Sequence, residues 1–312
     1  MPTKVSAGFL LVLATLSAVA NTATAQESNR HPATHDTVAI DAEYPPAMHE
    51  LSFQSGGHKL NGLMYVANGP GPHPTVVLLH GYAGNERNLD LAQALRRAGS
   101  NVLYFNYRGS WGSGGPFSVA NALEDVARAV ALARDPAWAA AHRSDPARVA
   151  LVGHSFGGFV GAVTTASDPD ITCFAFLAGA NVGPFGRQAA ADPEFRGQLA
   201  SMLGADMDAE GGPIRGDAHA MVSEIVDQAE AWDLTLRAPA LATRPLLLVA
   251  GTRDEAVPPK NHHQPLLAAL HEAGARHLTD RILEDDHSFS ASRIALTQLL
   301  VDWQTEACWP DK

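Results

Sequence analysis

Cysteine is almost absent from this sequence: Cys173 and Cys308 are the two in 312 residues. That count permits one disulfide at most, or two buried thiols. Basic residues are also in short supply. There are 22 Lys and Arg against 33 Asp and Glu, a formal charge of -11, and the pI is about 5.6. Phosphate binding needs clustered cations, so nucleic acid is not expected as a partner; the acidity by itself names no substrate. Beyond the first 25 residues, no apolar run approaches the length of a bilayer span, and no stable membrane insertion is expected. Repeats and long low-complexity tracts are missing. The 14 histidines show no metal-ligand spacing and no Gly-rich loop suits a nucleotide, so neither metal nor cofactor is expected.

What is present suits one large globular domain or two small ones, with 46% of residues hydrophobic and 18% charged. Residues 1–25 read as a signal peptide: Lys4 in the n-region, Ala7 to Ala20 as the apolar h-region, and Ala23-Thr24-Ala25 as a small-x-small cleavage site. The protein is then expected to be periplasmic or secreted, beginning at Gln26. A retained anchor is the alternative, disfavoured by the shortness of the apolar stretch. Residues 26–46 are polar and lack periodicity, and are expected to form a flexible leader.

From there the chain reads as one domain over 47–312. Leu51 to Gln54 and Leu60 to Val66 predict an antiparallel pair around Ser55-Gly56-Gly57. Thr75 to Leu79 is a continuous apolar run, as in a strand buried on both faces. Strands then alternate with helices. Helices are expected over Leu89 to Ala98 (capped by Asn88), Ala120 to Arg134, Asn261 to Ala273 and Ala291 to Glu306. Strands are expected over Asn101 to Asn106, Arg148 to Val152, Ile171 to Ala178, Pro245 to Ala250 and His277 to Leu283. Such alternation calls for an α/β fold with a mostly parallel central sheet flanked by helices. Residues 181–244 break the rhythm. They hold helical patterns, Phe195 to Leu203 and Ala218 to Trp232 above all, and no convincing strand. They read as a small helical cap inserted over the strand ends.

The chemistry concentrates at Gly153-His154-Ser155-Phe156-Gly157, a G-x-S-x-G pattern between a strand and a helix. A tight turn there lifts Ser155 to the top of the sheet, with the helix N-terminus favouring developing negative charge. Three further segments join it in order: His80-Gly81-Tyr82-Ala83-Gly84 after a buried strand, Gly251-Thr252-Arg253-Asp254-Glu255-Ala256-Val257-Pro258 after another, and Asp286-His287-Ser288-Phe289 before the last helix. Together they resemble the α/β-hydrolase superfamily, whose chain order is serine, acid, histidine.

The candidate catalytic residues are Ser155 as nucleophile, His287 as base, and Asp254 as the carboxylate that orients the imidazole. Glu255, Asp285 and Asp286 compete for the acid's role. Glu255 lies one residue off the motif, and the other two sit close to His287 in sequence. The residue after the nucleophile, Phe156, supplies one backbone N–H for an oxyanion; the resemblance implies Tyr82 as the second donor. His80 reads as a structural loop residue, and His154 and the pair His262-His263 as structural or solvent-facing.

Tyr107-Arg108-Gly109-Ser110-Trp111-Gly112-Ser113 resembles a segment of prolyl-oligopeptidase-like hydrolases. Trp111 is a candidate for the acyl or leaving-group pocket, or else a surface aromatic. The resemblance implies a small ester or a short peptide as substrate: a carboxylic-ester hydrolase is expected, a prolyl-oligopeptidase-related peptidase or acyl-peptide hydrolase is the alternative, and a thioesterase, carbon-carbon hydrolase or non-catalytic binding protein lies further off. The apolar cap residues Phe185, Phe195, Leu199, Met202 and Leu203 could line a pocket or pack on the body, and packing is the expected role of most. Cys173, before a strand, and Cys308, after the last helix, fall at the same end of such a sheet, where a bridge is geometrically possible.

Overall fold

The computed structural model describes residues 30–207 and 211–309. The signal peptide expected over residues 1–25 lies outside them. Eight strands form one sheet: β1 (Ala47–Ser55), β2 (His58–Val66), β3 (His73–Leu79), β4 (Asn101–Phe105), β5 (Ser144–His154), β6 (Phe174–Leu177), β7 (Leu246–Gly251) and β8 (Leu278–Leu283). Their spatial order is β1-β2-β4-β3-β5-β6-β7-β8. β2 pairs antiparallel with both β1 and β4, and every other pairing is parallel.

The helices are α1 (Leu89–Arg97), α2 (Val119–Ala133), α3 (Pro136–Ala141), α4 (Phe156–Ser167), α5 (Gly183–Ala191), α6 (Pro193–Gly204), α7 (Ala218–Asp227), α8 (Ala238–Leu241), α9 (His263–Glu272) and α10 (Arg293–Trp303). Residues of β3, β4, β6 and β7 are buried without exception, as continuous apolar strands covered on both faces must be. Successive side chains feed opposite cores: Val77 and Leu79 join α2, α4 and α9 on one face, while Val76 and Leu78 join α1 and α10 on the other. Each such side chain fully removed from water contributes about 1.5–3 kcal/mol.

Element ends depart from the sequence expectation where side-chain chemistry overrides periodicity. β1 starts at Ala47 rather than Leu51, because its register with β2 runs unbroken from Ala47 opposite Val66. Its first four residues are not buried, so no alternation announces them. α3 went unforeseen, although Asp135 accepts the Trp138 N–H at 2.8 Å and Pro136 opens the helix. Asn88 does not cap α1. It takes a left-handed conformation with no capping bond, and its Oδ1 accepts from Arg293 of α10 at 3.0 Å. Residues 30–46, expected as a flexible leader, are turns held on the body: Arg97 Nε donates to the Pro32 carbonyl at 2.6 Å, and the Asp41 N–H to Asn68 Oδ1 at 2.9 Å.

The cap consists of α5 to α8. Asp192 and Asp217 cap α6 and α7 through their side chains. Backbone bonds secure it to the body, the Arg215 N–H to the Gly109 carbonyl and the Phe117 N–H to the Arg215 carbonyl, each at 2.7 Å. Glu224 of α7 accepts the first N–H groups of α2, Val119 at 2.9 Å and Ala120 at 3.1 Å, supplying negative charge where that helix end favours it. Within the cap, Asp233 accepts from Asn181 at 3.0 Å and from Arg187 of α5 at 2.6 Å. At the other end of the sheet, Cys173 and Cys308 are disulfide-bonded, with Cα atoms 5.6 Å apart. Closing a loop of 135 residues is worth about 3–5 kcal/mol in the chain-entropy account.

Candidate active site

Ser155 is the single residue between β5 and α4, at φ 58° and ψ -120°, a region that non-glycine residues enter only under constraint. Three backbone bonds impose it. The Ser155 N–H donates to the Leu177 carbonyl at 3.0 Å, and its own carbonyl accepts from Phe159 at 3.3 Å and Ala180 at 3.1 Å. The flanking glycines follow from close approach. A Cβ on Gly153 would lie 2.2 Å from the Gly157 carbonyl oxygen, and one on Gly157 would lie 2.3 Å from that of Leu79. Neither position admits a side chain.

Asp254 follows β7 and is buried, 4% exposed. The Val257 N–H holds one carboxylate oxygen at 2.7 Å, and the other accepts from His287 Nδ1 at 2.7 Å. That bond leaves the proton on Nδ1 and the lone pair on Nε2. The competing acids are engaged elsewhere. Glu255 is exposed. Asp285 accepts from the Asp286 N–H at 2.8 Å, the Ala291 N–H at 3.0 Å and the Ser292 hydroxyl. Asp286 accepts the Ser288 and Ser290 N–H groups, each at 3.0 Å. Both acids shape the histidine loop and leave His287 Nδ1 to Asp254.

Ser155, His287, Phe156 and Tyr82 share one cavity of about 650 Å³. The loop after β3 lies against the serine, since a Cβ on Gly81 would come within 3.0 Å of Ser155 Cβ. Phe156 opens α4, so its N–H points with the helix dipole. The Tyr82 hydroxyl donates to the Leu203 carbonyl at the end of α6, joining this loop to the cap.

His80, His154, His262 and His263 are buried. The His80 Nδ1–H donates to the Gly81 carbonyl at 2.7 Å, and burial lowers its pKa to about 4. His154 Nε2–H donates to the His287 carbonyl at 2.8 Å, their rings 4.8 Å apart. Burial, with His287 close by, brings its pKa down to about 4. Both are therefore neutral at pH 7. His262 and His263 are each 2% exposed, so the solvent-facing reading fails for His154, His262 and His263. His263 Nε2 lies 2.7 Å from Asp280.

Trp111 is not part of the cavity wall. Its indole N–H donates to the Ala83 carbonyl at 2.7 Å, and the Arg87 guanidinium lies 4.3 Å above its ring. It braces the loop that carries Tyr82. Arg108 is buried against Asp125 of α2, which accepts its Nε and its N–H, each at 2.7 Å. Periodicity gave no hint of Asp125.

Phe185, Phe195, Leu199, Met202 and Leu203 all line the cavity, and Leu199 and Leu203 also belong to the buried core, with Phe185 and Phe195 packed against it. The cap helices rest above the serine, and their apolar faces meet the cleft as well as the body. Sequence reasoning also missed Asp206, Asn261 and His262, which bring polar groups to a mainly apolar wall. Only proximity to the acid loop could have signalled the last two. Among the described residues no group of three or more His, Cys, Asp or Glu is arranged to hold a metal, and no helix is long and apolar enough to cross a membrane.

Residues 76–293 match the model of an alpha/beta hydrolase family. No curated protein matches the chain in sequence. Solved structures do match in shape. The Pyrococcus furiosus esterase Pf2001 superposes with a TM-score of 0.61 at 16% identity, over 88% of this chain and 97% of that one. Est1E from Butyrivibrio proteoclasticus gives 0.62 at 19%, over 82% and 98%. A puromycin hydrolase gives 0.62 at 20%, over 86% of this chain and 40% of its own. At such identities the likeness establishes the fold.

Proposed function

The chain belongs to the alpha/beta hydrolase family, and from that premise we propose that it cleaves a carboxylic ester through an acyl-enzyme on Ser155, with Asp254 and His287 completing a triad. The observation that carries the reading is the 2.7 Å bond from His287 Nδ1 to Asp254, with His287 and Ser155 in the same cavity. His287 Nε2 takes the Ser155 proton as Oγ attacks the ester carbonyl. The N–H groups of Phe156 and Tyr82 hold the tetrahedral oxyanion, aided by the N-terminus of α4. The imidazolium returns its proton to the departing alcohol. Water, deprotonated by His287, then releases the acid and restores Ser155.

A cavity of about 650 Å³ falls within the range of small-molecule sites. That supports the ester reading over a long peptide. The peptidase alternative draws on Asp206, a carboxylate on the cavity wall that suits an ammonium-bearing acyl group. Fluorophosphonate labelling tests the nucleophile: the adduct is expected on Ser155, and folded protein without it rules the triad out. Hydrolysis of p-nitrophenyl esters against aminoacyl-p-nitroanilides separates the two substrate classes. We also infer export with cleavage after Ala25, which the disulfide supports because such bonds persist in oxidising compartments. N-terminal sequencing of the mature protein should begin at Gln26.

A further inference from the structure

One polar group in the cavity wall has no part in the triad. His262, just before α9, is 2% exposed and lines the same cavity as Ser155 and His287. Its Nδ1 accepts the backbone N–H of Asn181 at 3.0 Å. That peptide is fixed in turn, because the buried Asn181 side chain donates to Asp233 at 3.0 Å and accepts from the Leu234 N–H at 2.9 Å. A backbone N–H can only donate, so Nδ1 carries a lone pair. Burial lowers the pKa of His262 and keeps the ring neutral, with its one proton on Nε2.

That N–H is buried and has no acceptor among the described residues. A donor left so costs about 1–3 kcal/mol. Phe185 of the cap packs edge-on against the ring at 5.1 Å, a contact that does not replace an oxygen. Val257 and Pro258 beside it are apolar cavity residues. The nearby charges, Asp254 and His287, are bonded to each other. With Nδ1 turned to the Asn181 peptide, Nε2–H points away from it, and the tautomer is set before any ligand arrives.

We propose that His262 is a specificity-determining residue whose Nε2–H binds a neutral oxygen acceptor (a carbonyl, ether or hydroxyl oxygen) on the substrate group held beneath α5. Preferred substrates are then oxygenated esters rather than plain alkyl esters. A carboxylate is a poorer fit, since Asp206 lines this cavity and the charge of Asp254 reaches His262. The proposal rests on the ester-hydrolase reading and specifies its substrate.

Matched esters in which one chain CH₂ is replaced by oxygen test it. The replacement is walked along the acyl chain in one panel and along the alcohol in another. Wild type should favour the oxygen member at one position by about 5- to 150-fold in kcat/KM, the range of one buried hydrogen bond. His262→Phe should bring that ratio close to one. His262→Gln, which keeps both an acceptor for Asn181 and a donor, should restore part of it. No oxygen preference at any position, or one that survives His262→Phe, overturns the proposal. So does an equal fall for both members with the ratio retained, because that is structural loss. Where His262→Phe does not fold, the His262 Nε2–H proton resonance in wild type decides. It should move downfield in the Ser155 phosphonate adduct bearing the oxygen and stay put in the alkyl adduct; equal positions defeat the idea. If wild type hydrolyses no ester in either panel, the ester reading itself has failed.

Discussion

The cavity has two walls built on different principles. The body wall, from the loops after β3, β5, β7 and β8, holds each side chain with named bonds. Ser155 is fixed by three backbone hydrogen bonds, and Asp254 has a separate partner for each oxygen. The cap wall is mostly apolar, and Met202 on it is 61% exposed. It is tied to the body through Tyr82 to Leu203, Glu224 to α2 and the Arg215 backbone to Gly109 and Phe117. The difference teaches a division of labour. Geometry is over-determined where a reacting atom must be placed within tenths of an ångström, and left adjustable where a substrate's shape must be accommodated.

The largest effect should come from breaking the body wall at its chemistry. Ser155→Ala or His287→Ala is expected to lower kcat by about 10⁴- to 10⁶-fold, and Asp254→Asn by about 10⁴-fold, with thermal unfolding little changed. Steady-state kinetics on one activated ester measures all three. Retained turnover in either alanine variant would dismantle the assignment. If Glu255→Gln is the crippling change instead, the acid is its neighbour.

Acid should distinguish the walls next. His80 and His154 brace the body wall, and burial lowers the pKa of each to about 4. An unfolded histidine titrates near 6.5. Between those values the unfolded chain binds protons that the folded chain refuses, so stability is whole above about pH 6.5 and lost as pH falls toward about 4. The cost is on the order of 3 kcal/mol for each ring. Urea unfolding at pH 7.5 and pH 4.5 should show it, and a smaller loss in His154→Gln would assign its share. Equal stability at the two pH values contradicts neutral buried rings.

The two walls also differed in how legible they were. Strands β3 and β7 announced themselves as unbroken apolar runs because both faces are covered, and the loops after them carried motif residues at fixed spacing. Ser155, Asp254 and His287 were therefore readable as candidates, and the structure brings Asp254 and His287 into contact. The cap offered only helical periodicity, which says that a face is apolar and not what it faces. Phe195 and Leu199 looked like packing for that reason, since lining a cleft and covering a body need the same residues. His262 was hidden differently. Its place depends on a long-range bond to the Asn181 peptide, which no local pattern records.

Cutting into the cap should move selectivity more than chemistry. Phe195 lines the cavity and is half-buried on α6. Phe195→Ala should reduce the ratio of kcat/KM for long over short p-nitrophenyl esters by about tenfold, the scale of one or two methylenes of pocket contact. An equal fall for every chain length would mean that α6 positions the catalytic groups, and the division between walls would fail.

The smallest expected effect is the one that decides where Trp111 belongs. Trp111→Phe keeps a ring under Arg87 and removes one hydrogen bond, from the indole to the Ala83 carbonyl. Ala83 follows Tyr82, so the loss loosens the loop that carries the proposed second oxyanion donor. A neutral hydrogen bond is worth about 0.5–1.5 kcal/mol net, so kcat should fall by no more than about tenfold. The factor should be the same at every acyl length, since an oxyanion carries no memory of the chain attached to it. A brace behind the loop and a wall of the pocket make opposite predictions here. An effect that grows with chain length would return Trp111 to the substrate, as its sequence context first suggested, and a uniform one would leave it holding the body wall in shape.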